Sequence, residues 1–165
     1  FPATLENVTL RAEFEDGSRV EGESRIAAVR RPIRQLRLQP EGSRAFPPAV
    51  KAIAAADVVV IGPGSLYTSL IPIVLIREIV EAIAHSTARV VLVMNLMTEP
   101  GETDGYTGVD HALAIRRHAP GVFIDAVLLN TAPIPQLAAG WGARPCATAS
   151  KSAAASRAAT STEAA

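Results

Sequence analysis

The chain is poor in cysteine and in aromatic residues. It has one cysteine, Cys146, among 165 residues, which excludes an internal disulfide and a metal cage built from several cysteines. Aromatic residues make up 4%, too few for a base-stacking platform. The longest apolar runs, such as Val58–Ile61 and Val90–Met94, are far shorter than a bilayer-spanning helix requires. We therefore expect no membrane span.

The chain also lacks net charge, because 16 Lys and Arg residues balance 16 Asp and Glu residues. A neutral chain has no long-range field to capture nucleic acid or an anionic membrane. The N-terminus lacks the basic-then-apolar pattern of a signal peptide. These absences predict a cytoplasmic protein without a nucleic-acid partner; they leave the oligomeric state open, a homo-oligomer included.

The first forty residues have the pattern of a small antiparallel sheet. Val8–Phe14 alternates apolar and polar residues, Asp16-Gly17 is a tight-turn signal, and Ser18–Glu21 forms the returning strand. Ile33–Leu38 has the same strand pattern. We predict a β-hairpin segment at about residues 5–40.

From residue 47 onwards, helical and strand patterns alternate. This order, with continuous β-branched runs typical of buried parallel strands, predicts an α/β fold with a Rossmann-like open parallel sheet. We place this core at about residues 47–140 of a domain covering 1–145, and interpret the Ala/Ser/Thr-rich residues 146–165 as a disordered tail. The predicted helices are Pro47–Ala56, Leu70–His85 and Val109–His118, and the predicted strands are Asp57–Ile61, Arg89–Asn95 and Val122–Asn130.

A glycine-rich loop follows the first of these strands and leads into a predicted helix. In open parallel sheets, ligands bind beyond the carboxyl ends of the strands. Glycines let the backbone approach a ligand, and a helix start offers free N–H groups, so the loop predicts a phosphate site. It has neither the Walker nor the dinucleotide pattern. The alternative is a structural turn in which Ser65 or Thr68 caps the helix. The loop reads Gly62-Pro63-Gly64-Ser65-Leu66-Tyr67-Thr68-Ser69.

An acidic loop, Asn95–Thr107, follows the next strand and should lie at the same edge of the sheet. Its carboxylates offer the oxygen ligands that Mg²⁺ prefers, and could also accept hydrogen bonds from sugar hydroxyls. The alternative, which spacing alone favours, is a solvated loop that caps the following helix. The acidic residues are Glu99, Glu102, Asp104 and Asp110.

No catalytic residue or metal site emerges from the remaining motifs. Ser65 lacks the Gly-x-Ser-x-Gly context of a hydrolase. His111 and His118 are seven residues apart without a partner at metal-site spacing. We interpret both as ordinary helix residues, with His118 placed to complement the dipole at the helix C-terminus.

The two loops resemble the hallmark motifs of the gluconeogenesis-factor family, which is YvcK/CofD-like. The matching segments occur in the family's order and spacing over about residues 1–145, and they are Pro2–Val8, Ala56–Ser69, Asn95–Thr107 and Ile124–Asn130. The resemblance implies that the chain is a C-terminal half whose first sheet strands are missing. Where members have Pro-Gly, this chain has Arg77-Glu78, which predicts a more continuous helix.

The resemblance also implies a ligand. Bacterial members bind a nucleotide-activated sugar, UDP-N-acetylglucosamine, and are linked to carbon metabolism and to the regulation of cell shape. The related CofD branch is a 2-phospho-L-lactate transferase, which moves a phosphate-linked group from a guanosine nucleotide to a deazaflavin, with Mg²⁺ as its expected cofactor. The motifs fit the bacterial factors better, and whether the chain belongs to an enzyme stays open.

Together, loop position and resemblance predict a nucleotide or nucleotide-sugar site formed by both loops. In the first loop the predicted contacts are Gly62, Pro63, Gly64, Ser65, Leu66, Tyr67 and Thr68, and in the second loop they are Asn95, Thr98, Glu102 and Thr103.

Overall fold

Two three-stranded sheets of different kinds organise the computed structural model, which describes residues 1–132 and Cys146. The predicted α/β class, with a parallel sheet and a small antiparallel one, is confirmed. Along the chain the elements are β1 (Thr9–Phe14), β2 (Arg19–Glu21), α1 (Glu23–Val29), β3 (Ile33–Gln39), α2 (Pro47–Ala54), β4 (Val58–Ile61), a π-helical turn (Leu66–Leu70), α3 (Ile71–Val74), α4 (Arg77–His85), β5 (Arg89–Val93), α5 (Gly108–His118) and β6 (Ala126–Leu128).

The antiparallel sheet has the strand order β2-β1-β3 and contains the predicted hairpin. Its turn depends on Gly17, whose φ of 81° falls in the left-handed region that glycine tolerates. Asp16 Oδ1 accepts a hydrogen bond from Ser18 N at 2.9 Å, which closes the turn. Leu10, Ala12 and Phe14 alternate along β1 and face the core.

Helix α1 was not predicted from the sequence. It spans seven residues after Gly22, buries Ile26 completely, and ends at Arg30 in the left-handed conformation, with φ 51°. Glu23 in its first turn is the signal that the sequence offered. The helix is too short to show a clear periodicity in the sequence. Its stability comes from the burial of Ile26 and not from the intrinsic helix propensity of its residues.

The parallel sheet has the order β4-β5-β6, with Val60 beside Val91 and Leu92 beside Val127. Strand β6 is shorter than the predicted Val122–Asn130. Asp125 starts the pairing, because its Oδ2 accepts from Val90 N at 2.8 Å while its own N–H donates to Val90 O at 2.9 Å.

The segment before β6 contains residues that were wrongly predicted to be in the strand. Val122 donates its N–H to Ala119 O at 3.0 Å in a turn, and it is fully buried. Ile124 is also buried outside the strand. These apolar residues therefore pack in the core from irregular backbone.

Only one face of the parallel sheet is covered among the described residues. Ile61, Val90 and Leu92 are buried on that face, whereas Val58 and Val60 on the other are 53% and 58% exposed. The prediction that Asp57–Ile61 is a fully buried strand is therefore wrong for alternate residues of β4.

The predicted helix Leu70–His85 is divided into three pieces. After the π-helical turn and α3, Ile76 adopts extended backbone, with ψ 110°, and is buried at 3% exposure. The Glu78 carboxylate accepts from Arg44 Nε at 2.8 Å and also from Ala45 N, which fixes the start of α4. The prediction of one helix over Leu70–His85 is therefore wrong, because the extended backbone of Ile76 separates α3 from α4.

Some predictions concern residues that the structure does not describe. Apart from Cys146, the predicted tail at 146–165 lies outside the described residues, as do residues 133–145 of the predicted domain. Within residues 1–132, no helix has the length and apolar character needed to cross a membrane.

Candidate functional site

The glycine-rich loop turns tightly against the neighbouring strand. Gly62 has φ 83°, and a Cβ placed there would lie 2.7 Å from Val93 O. A side chain at this position would clash with β5, so Gly62 is required both by its conformation and by this close approach. Pro63 is exposed at the tip of the loop, and Gly64 is partly exposed.

Asn95 joins the two loops through a reciprocal pair of hydrogen bonds. Its Oδ1 accepts from Gly64 N at 2.9 Å, and its Nδ2 donates to Gly64 O at 2.8 Å. The expectation that both loops lie at one edge of the sheet is confirmed. The Asn95 amide thereby fixes the backbone of the glycine loop at its centre.

Ser65 is a second junction between the loops. Its Oγ donates to Glu99 Oε2 at 2.8 Å and lies 3.4 Å from Glu102 Oε2. The same oxygen accepts from Thr68 Oγ1 at 2.7 Å and from Thr68 N at 3.4 Å, so Ser65 caps the π-helical turn. The capping role that the sequence left open is therefore present, combined with contacts to two carboxylates.

Glu102 is the most perturbed acid of the site. Its side chain is buried, at 6% exposure. Burial raises the pKa of Glu102 to about 7, helped by the charge of Glu99 and a hydrogen bond with it, while the Ser65 hydroxyl opposes the rise. The Glu99–Glu102 pair therefore carries less than two full negative charges near neutral pH.

Several predicted contact residues are buried beneath the loops. Leu66 and Tyr67 are in the core, and the Tyr67 and Tyr106 hydroxyls are 2.8 Å apart. Burial, followed by the bond to Tyr106, raises the pKa of Tyr67. Thr98 is buried, and buried Thr103 accepts a hydrogen bond from Glu99 N at 2.7 Å. The partly accessible members are Gly62, Gly64, Ser65, Thr68 and Asn95, with Pro63 exposed.

The other two acids of the second loop have separate structural tasks. Asp104 Oδ2 accepts from Gly101 N at 2.6 Å. Asp110 forms a capping box with Thr107 at the start of α5, and these hydrogen bonds lower the pKa of Asp110. Among residues 1–132 and Cys146, no three His, Cys, Asp or Glu side chains converge as a metal site would require.

The second loop also packs against the end of helix α1. Gly101 has φ 87°, and a Cβ there would lie 2.2 Å from the carbonyl carbon of Arg30, the residue that ends α1. The backbones of Gly101 and Arg30 are thus in direct contact. This contact was not predicted, because α1 itself was missed.

The histidines of α5 serve packing. His118 Nε2 accepts from Leu36 N of β3 at 3.2 Å, and its Nδ1 donates to Ala114 O at 2.9 Å. Burial lowers the pKa of His118, so it acts as a neutral acceptor rather than as the predicted cation at the helix end. His111 is buried and stacks edge-on against Tyr106.

Cys146 borders the second loop. Its backbone N–H donates to Leu96 O at 3.1 Å. Burial, with the charge of Glu99, raises the pKa of its thiol. The thiol is therefore mostly protonated and weakly nucleophilic at neutral pH.

Comparison with known proteins agrees with the motifs. A family profile described as 2-phospho-L-lactate transferase CofD matches residues 1–155. The gluconeogenesis factor of Listeria innocua is 44% identical over 135 residues, covering 82% of this chain and 42% of that protein. The gluconeogenesis factor of Bacillus subtilis is 42% identical over 134 residues, covering 81% and 42%. A crystal structure of a Bacillus halodurans protein superposes with TM-score 0.84 at 42% identity, covering 90% of this chain and 49% of that one.

The fold and the paired loops define an α/β protein with a glycine-rich turn at the carboxyl edge of a parallel sheet. The chain belongs to the CofD family, and the predicted resemblance to gluconeogenesis factors is confirmed. It spans about two fifths of the length of the Listeria and Bacillus relatives.

Proposed function

We propose that the chain is part of a gluconeogenesis factor that binds a nucleotide sugar, of the UDP-N-acetylglucosamine type, at its paired loops. The observation that carries the proposal is the Asn95 side-chain amide, which forms hydrogen bonds with both the N–H and the C=O of Gly64. This arrangement keeps a backbone turn in one conformation at the edge where open parallel sheets bind ligands.

The chemistry of the loops suits a phosphorylated sugar. Gly62, Gly64, Ser65 and Thr68 are partly exposed, so a diphosphate could approach the backbone and the hydroxyl-bearing side chains of the loop. The raised pKa of Glu102 reduces the negative charge that would repel the phosphates. The Glu99 carboxylate can accept hydrogen bonds from sugar hydroxyls. Through this ligand, the complete protein would regulate carbon metabolism and cell shape.

The test is isothermal titration of this chain and of the complete Listeria innocua factor with UDP-N-acetylglucosamine and with GDP. We expect the complete factor to prefer the UDP-sugar. In this chain, Ser65→Ala should weaken binding about tenfold, which corresponds to about 1.4 kcal/mol. The matched control is the exposed Ser69→Ala change four residues further on. Equal affinity for Ser65→Ala and Ser69→Ala would place the ligand elsewhere.

The alternative is a CofD-type transferase, which the description of the matching family profile favours. Such an enzyme would move a phosphate-linked group from a guanosine nucleotide to a deazaflavin and would use Mg²⁺. A complete relative that prefers GDP and forms a deazaflavin-linked product would establish this activity. Under the regulatory proposal, the same assay yields no product.

A further inference from the structure

A row of hydrogen bonds connects the surface of the paired loops to buried carboxyl groups. Thr68 Oγ1 donates to Ser65 Oγ at 2.7 Å, and Ser65 Oγ donates to Glu99 Oε2 at 2.8 Å. Glu102 Oε2 lies 3.4 Å from the same serine oxygen. Thr68 is partly exposed, whereas Glu102 is buried at the inner end of the row. Two hydroxyl groups therefore stand in series between solvent and Glu99 and Glu102, which we call the acid pair.

In this arrangement both hydroxyl protons point inwards. A hydroxyl group has one proton to donate; the Thr68 proton is used by Ser65, and the Ser65 proton by Glu99. A phosphate oxygen is an acceptor, and neither hydroxyl has a proton left for it. The negative charge of an ionised acid pair would also repel a phosphate at this distance. The ionised form of the acid pair therefore opposes phosphate binding at the two hydroxyls.

One proton on the acid pair reverses the row. A protonated Glu99 donates to Ser65, Ser65 donates to Thr68, and the Thr68 proton becomes free for a ligand. The heavy atoms keep their places, because separations of 2.7 and 2.8 Å suit an O–H···O hydrogen bond in either direction. Burial, with the charge of Glu99, raises the pKa of Glu102 to about 7, so the acid pair can hold a proton close to neutral pH.

The titratable groups around the acid pair keep a constant charge near neutral pH. Burial raises the pKa values of Tyr67 and Cys146, on which the charges of the acid pair act, so both groups stay protonated. Tyr106 bonds to the Tyr67 hydroxyl through its own. The neighbouring elements contribute two cations, Arg30 at the end of α1 and Arg117 of α5, and within residues 1–132 neither forms an ion pair with the acid pair. A proton taken up here is therefore assigned to the acid pair.

We propose that the paired loops bind the phosphate of a nucleotide sugar together with one proton, which the acid pair takes up and which turns the Ser65 and Thr68 hydroxyls towards the ligand. The inference rests on the proposed function and deepens it, because it assigns the phosphate rather than the sugar to these hydroxyls. A sugar hydroxyl in the same place would donate to the ionised acid pair and would need no proton.

The test is isothermal titration of this chain with UDP-N-acetylglucosamine at pH 5.5 and pH 8.0. Each titration is run in two buffers of different ionisation enthalpy, with EDTA present. The diester phosphates of this ligand do not titrate in this range, so a heat that depends on the buffer measures proton uptake by the protein. We expect about one proton per ligand at pH 8.0 and almost none at pH 5.5, with binding about tenfold weaker at pH 8.0.

Glu102→Gln should abolish both the proton uptake and the pH dependence of binding, because the amide cannot ionise and can donate to Glu99 in place of the acid proton. The control Glu15→Gln changes an exposed carboxylate of the hairpin and should keep both effects. Proton uptake that persists in Glu102→Gln would overturn the inference. Binding that requires added Mg²⁺ and takes up no proton would also overturn it.

A chimera covers the case in which the isolated chain binds too weakly to measure. In it, this chain replaces the superposed region of the Bacillus halodurans protein, with and without Glu102→Gln. The same titrations then apply. Binding by the chimera without proton uptake at pH 8.0 would overturn this inference and leave the proposed function standing. Absence of binding at both pH values would overturn the proposed function, and the inference with it.

Discussion

At the scale of single residues, the candidate site depends on side chains that connect two loops. Asn95 holds Gly64, and Ser65 bridges to Glu99 and Glu102. Each of these polar groups stabilises the loops against one another. A ligand that binds here therefore meets a surface that is already organised.

Glu102 should give the protein a measurable pH dependence. Its raised pKa means that the folded state binds more protons than the unfolded state between the ordinary value of 4.5 and about 7. The contribution of this group to stability is therefore fully present below about pH 4.5 and is lost as pH rises to about 7. Glu102→Gln removes the ionisation, and we expect it to increase the free energy of unfolding at pH 8 by on the order of 1–3 kcal/mol relative to the unchanged chain.

Urea unfolding at several pH values between pH 5 and pH 8 measures this difference in the free energy of unfolding. The control is Glu15→Gln, which changes an exposed carboxylate of the hairpin. A difference between Glu102→Gln and the unchanged chain that is constant across this pH range would contradict the shifted pKa.

The Asn95 amide should contribute more than an ordinary surface asparagine. Asn95→Ala removes both hydrogen bonds to Gly64, and we expect a loss of about 2–3 kcal/mol in the free energy of unfolding. Asn130→Ala is the matched control, because its exposed amide bonds, within residues 1–132, to the nearby Ala132 backbone. Chemical denaturation of both variants compares them directly; equal losses would show that the Gly64 contact contributes nothing special.

At the scale of secondary structure elements, α5 has the best-defined start. Thr107 Oγ1 accepts from Asp110 N, and Asp110 Oδ2 accepts from Thr107 N at 2.7 Å. We expect Thr107→Ala to lower stability by about 1 kcal/mol, because it removes the helix cap. Thermal melting followed by circular dichroism measures the change. Thr107→Ser retains the hydroxyl and should recover most of the loss, and failure of this rescue would argue against capping.

The sequence predicted the elements whose signals are local. The Asp16-Gly17 turn, the β-branched run of β4 and the polar loop after β5 were each found from nearby residues. The break at Ile76 and the short helix α1 were missed, because burial of Ile76 and Ile26 against distant elements decides them.

For the site, the positions of the two motifs after parallel strands correctly predicted that the two loops lie together, because parallel strands end at the same edge of the sheet. The sequence did not show which loop residues would be buried. Tyr67 lies in the core rather than at the surface, and its partner Tyr106 was not identified. Side-chain direction around a π-helical turn depends on packing that no local pattern contains.

At the scale of the whole molecule, the two faces of the parallel sheet should respond differently to substitution. Leu92→Ala creates a cavity in the core and should cost about 2–5 kcal/mol. Val60→Thr, on the exposed face of the parallel sheet, should change the stability of the isolated chain by less than about 0.5 kcal/mol. Denaturant titration checks both values, and a large effect at Val60 would mean that other parts of the chain cover this face.

The position of Cys146 provides a built-in reporter. The chain has one cysteine, so a thiol-reactive dye would attach at one known position without any engineered residue. Its backbone is bonded to Leu96, directly after the Asn95 that holds the glycine loop. The rate of alkylation would thus follow the exposure of the second loop in real time, and a ligand that tightens the paired loops would be seen as slower labelling.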